Sequence, residues 1–536
     1  MSSLNIVKGI VKKNPSKLKG RSTSYSKDEI SPLIKPGDEW EIKDEIDIEP
    51  PYSRVVIFFN QKTGEYLYHV NEPLIPDNLR NFIRSVKDNI IEDIDSNPDK
   101  REERIEILRR KIDEFAIEKE INLSGLERER VFYYVYRDFE GYGPIEAPML
   151  DPNVEDISCD GTDIPIHIFH RRLGSIRSNI IYKDDAELDT FILWIVQRSG
   201  NHISVASPMA DCTLPDGSRL QATLGREVTK RGSSFTIRRF KENPFTPLDL
   251  LKMKTLNKDI LVYIWLAVEN GMSIFVVGGT ASGKTTTLNS ILLFIPPGKK
   301  IVSIEDTREI NIPHENWIPS VTRPGIGEVN PITNKKMGEV DMFDLLVASL
   351  RQRPNYIIVG EVRGVEAYNV FQAMATGHTA YSTFHADDVR TLVHRLESTP
   401  INLPKALISS LDIVLMQGQV KVDNKLSRRV KQMVEIVGVD PGSNELTTNN
   451  AYEWDPVGDV FNFSGHSYVI ERILTMRNWT MKRMEIEIER RKKILDYMNA
   501  VGIDNYRDFA SLVSYYFKKP DGLIDRVRQT LGEDIQ

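Results

Sequence analysis

Residues Gly278-Gly-Thr-Ala-Ser-Gly-Lys-Thr285 fit the pattern glycine, four residues, glycine-lysine-serine/threonine. That spacing makes a phosphate cradle. Gly278, Gly279 and Gly283 let the backbone turn sharply and leave room for phosphate oxygens. The N–H groups from Thr280, Ala281 and Ser282 through to Thr286 form an anion-binding nest, and the start of the following helix adds about half a positive charge. Lys284 is expected to reach the β- and γ-phosphates, and the Thr285 hydroxyl to ligate Mg²⁺. ATP and Mg²⁺ are therefore the expected cofactors. The alternative is a glycine-rich turn that binds nothing.

Hydrolysis needs more than a cradle. It needs a carboxylate on the metal side and a group that orients water. Two acidic stretches follow apolar runs, Ile304-Glu-Asp-Thr-Arg-Glu309 and Tyr356-Ile-Ile-Val-Gly-Glu361. The second has the form of a Walker B strand, with Gly360 where many P-loop proteins carry aspartate. Glu361 is assigned to the Mg²⁺ side and Glu305 to activation of water, and the spacing alone allows the two roles to be exchanged. The plainer reading of each is a surface salt bridge. His378 and His385 flank the run Ala380 to Thr383. His385, at its carboxyl end, is placed to sense a γ-phosphate or hold a neighbouring carboxylate; either histidine can instead be a structural hydrogen-bonder. Arg219 and Arg238 are candidate arginine fingers, which can speed phosphoryl transfer by roughly 10³ to 10⁵. Period two puts Arg238 on a polar face with Ser234 and Thr236, and Arg239 with Phe235 and Ile237. A structural ion pair is the alternative for all three arginines.

These residues need a scaffold. Ile274 to Val277 reads as a buried strand, and Thr285 to Phe294 as a helix with Leu288, Ile291 and Leu292 on one side, ended by Pro296-Pro297. Lys300–Ile304, Tyr356–Val359 and Ala380–Thr383 read as further core strands alternating with helices, which implies a mostly parallel sheet. Leu248 to Asn270 reads as one helix stopped by Gly271. The expected division of the chain is a disordered basic tail over 1–30, a strand-rich piece plus helices over 31–136, and a small α+β domain over 137–240 carrying Arg219 and Arg238. A linker over 241–247, a P-loop domain over 248–445 and a helical extension over 446–536 complete it. Residues 446 to 470 read as an irregular or strand-rich connection. The run Arg490 to Lys493 reads as a solvated basic face, or as a contact surface if functional.

Across 536 residues the net charge is −7, which argues against a general nucleic-acid binder. Lys8, Lys12, Lys13, Lys17, Lys19, Arg21 and Lys27 precede the first acid and could attract an anionic membrane surface. Cys159 and Cys212 form no metal-ligand pair and suggest a reducing, cytoplasmic setting. No apolar run has the ~20 residues of a transmembrane helix, and no signal peptide is visible.

Taken together, the phosphate loop, Ile304-Glu-Asp-Thr-Arg-Glu309, Leu350-Arg-Gln-Arg-Pro-Asn-Tyr-Ile-Ile-Val-Gly-Glu-Val-Arg363 and Thr376-Gly-His-Thr-Ala-Tyr-Ser-Thr-Phe-His385 resemble the secretion ATPases of type II and type IV systems. The archaeal branch is most similar, the branch of the archaellum motor and archaeal type IV pilus assembly ATPases. Further matches are Glu155-Asp-Ile-Ser-Cys-Asp-Gly161, His202-Ile-Ser-Val-Ala206 and Ile312-Pro-His-Glu-Asn-Trp-Ile318. The likeness covers about residues 130 to 420. It implies an α/β fold: a RecA-like P-loop motor domain, a smaller α+β domain of PAS-like, sensory type before it, and helical extensions. It also implies a homo-hexamer that hydrolyses ATP at the cytoplasmic face of a membrane, with arginines of the smaller domain completing the site. The partner it implies is a polytopic membrane platform protein, and no nucleic acid. Many bacterial relatives carry a four-cysteine zinc site; two cysteines cannot build one, so no zinc is expected. The competing readings are a nucleic-acid motor on the same fold, a conjugation-type ATPase, and a scaffold that binds ATP without turning it over.

Overall fold

The computed structural model describes residues 25–93, 101–240, 243–323, 325, 329–331, 335–423 and 425–531. The chain forms two compact units, Met1–Phe240 and Lys241–Gln536. Lys8 to Arg21 of the expected tail lie outside the described residues. Lys27 does not belong to a tail: it opens a short capped helix, Lys27–Ile30, and bridges Glu45 at 2.7 Å.

The first unit is built on one nine-stranded sheet. Its strands are β1 (Trp40–Glu49), β2 (Ser53–Asn60), β3 (Tyr66–Asn71), β4 (Val154–Cys159), β5 (His167–His170), β6 (Gly174–Ser178), β7 (Met209–Thr213), β8 (Arg219–Thr223) and β9 (Ser234–Arg238), in the order β1-β2-β3-β6-β5-β4-β9-β8-β7. The boundary expected at 136/137 is absent, because β3 pairs with β6 through Leu67↔Arg177 and Tyr68↔Ser178. Sequence patterning is local and cannot see a strand pair more than a hundred residues apart. β1 was also not read from the sequence, although Trp40, Ile42, Ile46 and Ile48 fall at period two; acidic residues fill most of the other positions and half of the strand is exposed. The helix Asp185–Arg198 lays Leu188, Ile192 and Ile195 on the sheet against Ile157, Leu220 and Ile237. A second cluster gathers helices Asp77–Asp93, Arg101–Glu118 and Gly125–Phe139 around Phe82, Ile112 and Phe132. Cys159 and Cys212 are buried, free thiols, and burial pushes Cys159 up to about 11.

The second unit holds β10 (Ile274–Val277), β11 (Ile301–Glu305), β12 (Trp317–Val321), β13 (Tyr356–Val362), β14 (Thr379–Phe384), β15 (Ile413–Val422), β16 (Lys425–Val439), β17 (Leu446–Asp455) and β18 (Val460–Phe463). The sheet order is β12-β11-β13-β14-β10-β15-β16-β17-β18. From β12 to β15 every pairing is parallel; from β15 to β18 every pairing is antiparallel. β10 lies inside the parallel part, buried at all four residues, as a strand covered on both faces of a parallel sheet is. The sheet continues through β17 and β18, so the expected boundary at 445 falls inside it.

The expected helix 248–270 is two. Thr246 caps Pro247–Lys252 with a capping box, and Lys258–Glu269 follows a break at Lys254, whose φ is +54°. Gly271, at φ +73°, ends the second helix as expected. Of the linker 241–247, the first two residues lie outside the described set, and the rest leads into that cap. Among the described residues no helix is long and apolar enough to cross a membrane.

The C-terminal helices Tyr468–Arg477, Met481–Ala500, Tyr506–Lys518 and Pro520–Leu531 share the main core of this unit rather than standing apart from it. Trp265 stacks on Phe294 at 4.9 Å and meets the edge of Tyr516 at 5.6 Å. Arg491 corrects the solvated reading of its basic run. It is 1% exposed, lies over the Trp265 and Tyr516 rings, and holds Glu269 at 2.6 Å and Glu487 at 2.8 Å. A helix residue one position from solvent can face the core, and only packing decides which one does. Breaking a buried pair by removing one partner costs about 3–5 kcal/mol. Arg491→Met should fall near the low end, because Arg477, Arg483 and Arg490 still face the two carboxylates. The expected result is a melting temperature lower by about 5–10 °C in circular dichroism. An unchanged midpoint would show that the pair carries no stability.

Candidate nucleotide site

The phosphate loop runs between β10 and the helix Lys284–Ile291. It turns where only small residues fit. A Cβ on Gly278 would lie 2.0 Å from the Gln417 carbonyl oxygen, and Gly283 takes φ +90° as the residue before the helix. Ala281 is held at φ +57°, an uncommon region for a residue with a side chain. The Gly278 N–H donates to the Phe384 carbonyl at 3.2 Å, tying the loop to the end of β14. The Lys284 ammonium and the Ser282 hydroxyl both donate to the Gly279 carbonyl, at 2.9 Å each. Burial lowers the Lys284 pKa, and the Glu361 carboxylate works against that. Lys284 is thus a half-buried cation that donates to an acceptor the loop itself supplies.

The carboxyl ends of β11 and β13 carry the two glutamates at the same edge of the parallel sheet as the loop, and Glu361 is close enough to act on Lys284. Glu305 ends β11 and is 2% exposed. Its Oε1 accepts the N–H groups of Glu309 and Ile310 at 2.8 and 2.9 Å, while Oε2 is buried with no hydrogen-bond partner among the described residues. Burial drives its pKa up to about 8, against the pull of those two N–H groups. Gly360 explains itself here: a Cβ at that position would approach Glu305 Cγ to 3.2 Å. Glycine replaces the usual aspartate because the neighbouring strand aims a glutamate into the space. Glu361 is half-buried, and Arg363 donates to its Oε2 from Nε at 2.8 Å. Glu305 is not a surface salt bridge, whereas Glu361 is ion-paired with the exposed Arg363.

Sequence reasoning missed several supporting residues. Asn289, on the helix after the loop, donates to the Glu309 carbonyl at 3.4 Å and accepts from the Asn311 N–H at 3.1 Å, pinning the acidic stretch to the loop's own helix. Asp387 Oδ1 lies 3.3 Å from where a Cβ of Gly279 would be. Gln417, Gln419 and Arg428 meet the outer side of the loop. The only sequence signal for them was two glutamines at i and i+2 at the end of an apolar strand.

The two histidines separate. His385 follows β14 at the same end as the loop, exposed, with Arg395 donating to its carbonyl. His378 precedes β14, at the opposite end, where it lines a cavity of about 420 Å³ with Glu269, Tyr356 and Arg477. The candidate finger arginines lie on the first unit. Arg219 and Arg238 are directly opposed across β8 and β9, and both are exposed. Arg219 is paired with Asp211, Nε to Oδ1 at 3.0 Å. Arg239 instead donates to the Asp151 carbonyl, a structural contact.

Among the described residues no group of three or more His, Cys, Asp or Glu could hold a metal ion on its own. The Thr285 hydroxyl and the Glu361 carboxylate are the donor types Mg²⁺ takes when phosphates and water fill the rest of its shell.

Comparison with known proteins decides what this site belongs to. The family model described as type II/IV secretion system protein matches residues 139–488. The chain belongs to this family. The type II/IV secretion match spans the phosphate loop, both glutamates, both histidines and Arg219 and Arg238, and as a member the chain is an ATPase. An uncharacterized protein of Methanocaldococcus jannaschii is 39% identical over 411 residues, covering 76% of this chain and 73% of that protein. The type IV secretion system protein PtlH of Bordetella pertussis is 31% identical over 242 residues, covering 39% of this chain and 69% of PtlH. The crystal structure of the VirB11 ATPase from the Brucella suis type IV secretion system is 22% identical, with a TM-score of 0.27, covering 54% of this chain and 91% of that one.

Proposed function

We propose that this chain is the ATP-hydrolysing subunit of a six-membered ring that powers assembly of a type IV pilus-like filament, an archaellum or an archaeal pilus, or related protein secretion. The observation that carries it is the phosphate loop of a type II/IV secretion family member, with a buried glutamate, Glu305, at the same edge of its parallel sheet. Burial keeps most of Glu305 protonated at pH 7, and the ionised fraction that can take a proton from water grows as pH rises toward about 8. Lys284 and the loop N–H groups hold the phosphates. Thr285 and Glu361 hold Mg²⁺, which would supply charge neutralisation on the phosphate oxygens. His385 reports the γ-phosphate from the end of β14. Arg219 and Arg238, exposed side by side, complete the site of a neighbouring subunit. The ring works at the cytoplasmic face of the membrane against a polytopic platform protein.

The test is a strain whose only copy carries Glu361→Gln, examined by electron microscopy and a swimming assay. Loss of filaments together with swimming identifies the motility filament. Loss of thin adhesive filaments alone identifies a pilus. Unchanged filaments of every kind would overturn the filament reading and leave secretion. Stimulation of hydrolysis by DNA would instead favour a nucleic-acid motor.

A further inference from the structure

A phosphate loop that turns its N–H groups inward must turn its carbonyls outward. Here two of those carbonyls, Ala281 and Ser282, are met by side chains from β15 and β16, far along the chain. Gln417 Nε2 donates to the Ser282 carbonyl at 2.9 Å. Gln419 Nε2 and Arg428 Nε both donate to the Ala281 carbonyl, at 3.0 Å each. The contact is close on every side. Besides the Gly278 approach to the Gln417 carbonyl, a Cβ on Gly283 would lie 3.1 Å from both Gln417 Nε2 and Arg428 Cδ.

Two details say that these contacts hold the loop rather than merely touch it. Ala281 sits at positive φ, a conformation that costs a residue with a side chain roughly 1 kcal/mol or more and persists only where its surroundings impose it. Its carbonyl is the one that receives two donors. Gln417 is 3% exposed and its Oε1 is buried without a partner among the described residues. An apolar residue would avoid that unpaired acceptor. What the amide contributes in exchange is its N–H to Ser282. The next residue after Arg428 secures the ribbon: Arg429 is buried and clasps Asp459 at 2.7 and 3.0 Å, and it donates to the Met253 carbonyl at 3.1 Å. The donors are therefore mounted on a braced hairpin, not on a loose one.

We propose that Gln417, Gln419 and Arg428 are positioning residues that hold the phosphate loop in its ligand-ready turn before a nucleoside di- or triphosphate arrives, and so set nucleotide affinity rather than the rate of hydrolysis. This rests on the phosphate loop being the nucleotide site. The physical argument is conformational selection. If only a fraction of molecules hold the competent loop, apparent affinity falls by that fraction. The donors face the outer carbonyls, so ground state and transition state lose equally, which raises KM and leaves kcat.

The experiment is calorimetric titration of the full chain with ADP and Mg²⁺, together with steady-state ATP hydrolysis, on Arg428→Ala, Gln419→Ala, Gln417→Leu and Arg428→Lys. Arg428 and Gln419 are exposed, so their variants test the idea even if Gln417→Leu fails to fold. For Arg428→Ala, Kd and KM should each rise about tenfold, as when one molecule in ten holds the competent loop. Its kcat should stay within about threefold, and the melting temperature should not move. Arg428→Lys, which keeps a donor, should recover part of the affinity. Kd and KM within twofold of the parent in both exposed variants would overturn the proposal. So would a fall in kcat at unchanged KM, which would make these residues part of the chemistry. Lys284→Ala is the control for the underlying reading. If the parent binds ADP no better than Lys284→Ala, the loop is not the nucleotide site and both claims fall. If the parent binds and only the hairpin variants are silent, the positioning claim fails alone.

Discussion

Lys284→Ala should lower ATP turnover by about 10²–10³-fold, the loss expected when one preorganised electrostatic contact is removed from a dry site. The fold itself should survive. Lys284 is half-buried and donates to the Gly279 carbonyl. Burial lowers its pKa, which means that folding disfavours the charged form. A group whose ammonium is less stable folded than unfolded takes stability away at pH values below its folded pKa. Its removal therefore leaves the melting temperature unchanged or slightly higher in the absence of nucleotide. Phosphate release and thermal unfolding measure the two effects separately. Turnover within tenfold of the parent would remove Lys284 from the phosphates. A collapse in stability would mean that it is a structural cation.

Glu305→Gln should separate activity from stability even more sharply. Loss of a general base lowers turnover by about 10²–10⁴-fold, with nucleotide still bound. The stability effect runs the other way. The folded pKa is about 8 against an ordinary 4.5. Between those values the unfolded chain has released the proton and the folded chain has kept it. The unfolded state binds fewer protons, so stability falls as pH rises through this window and levels off above about pH 8. The glutamate thus destabilises the nucleotide-free protein at pH 8 by something on the order of 3–5 kcal/mol relative to pH 4. Glutamine mimics the protonated acid: its oxygen can still accept from Glu309 and Ile310, and nothing ionises. Denaturant unfolding of parent and variant from pH 5 to 8 should show a difference that grows with pH in favour of the variant. A constant difference would mean that Glu305 is not held protonated. Full turnover in the variant would move the base elsewhere, with Glu361 next in line. The site carries a carboxylate that weakens the resting protein, as expected where function and stability compete.

Much of this site was legible in the sequence because its signals are local. Gly278 to Thr285 is one continuous segment whose spacing dictates a turn and a helix start. The strands β10, β11, β13 and β14 announce themselves as apolar runs, and Glu305, Glu361 and His385 sit within a residue or two of their carboxyl ends, where parallel sheets gather ligands. Family membership followed from the same short motifs. Two of the four C-terminal helices, Met481–Ala500 and Tyr506–Lys518, could also be read from their amphipathic spacing.

What the sequence could not reach depends on which distant segments meet. Glu305 and Gly360 are 55 positions apart, and the steric reason for that glycine exists only once β11 and β13 lie side by side. The raised pKa of Glu305 comes chiefly from burial, which outweighs the N–H groups its chain neighbours Glu309 and Ile310 offer it. Gln417 and Ser282 are separated by 135 residues, and Arg428 and Ala281 by 147. Arg491 looked like one of four equivalent basic residues until Trp265 and Glu269 closed over it. The sequence by itself determined the chemistry of the phosphate loop, the strand ends that carry the acids and the family, because residue types at short spacing fix backbone turns and periodicity. Tertiary structure alone decided which acid is buried, which arginine is inside and which side chains grip the loop. Desolvation and close packing arise between segments that only folding brings together.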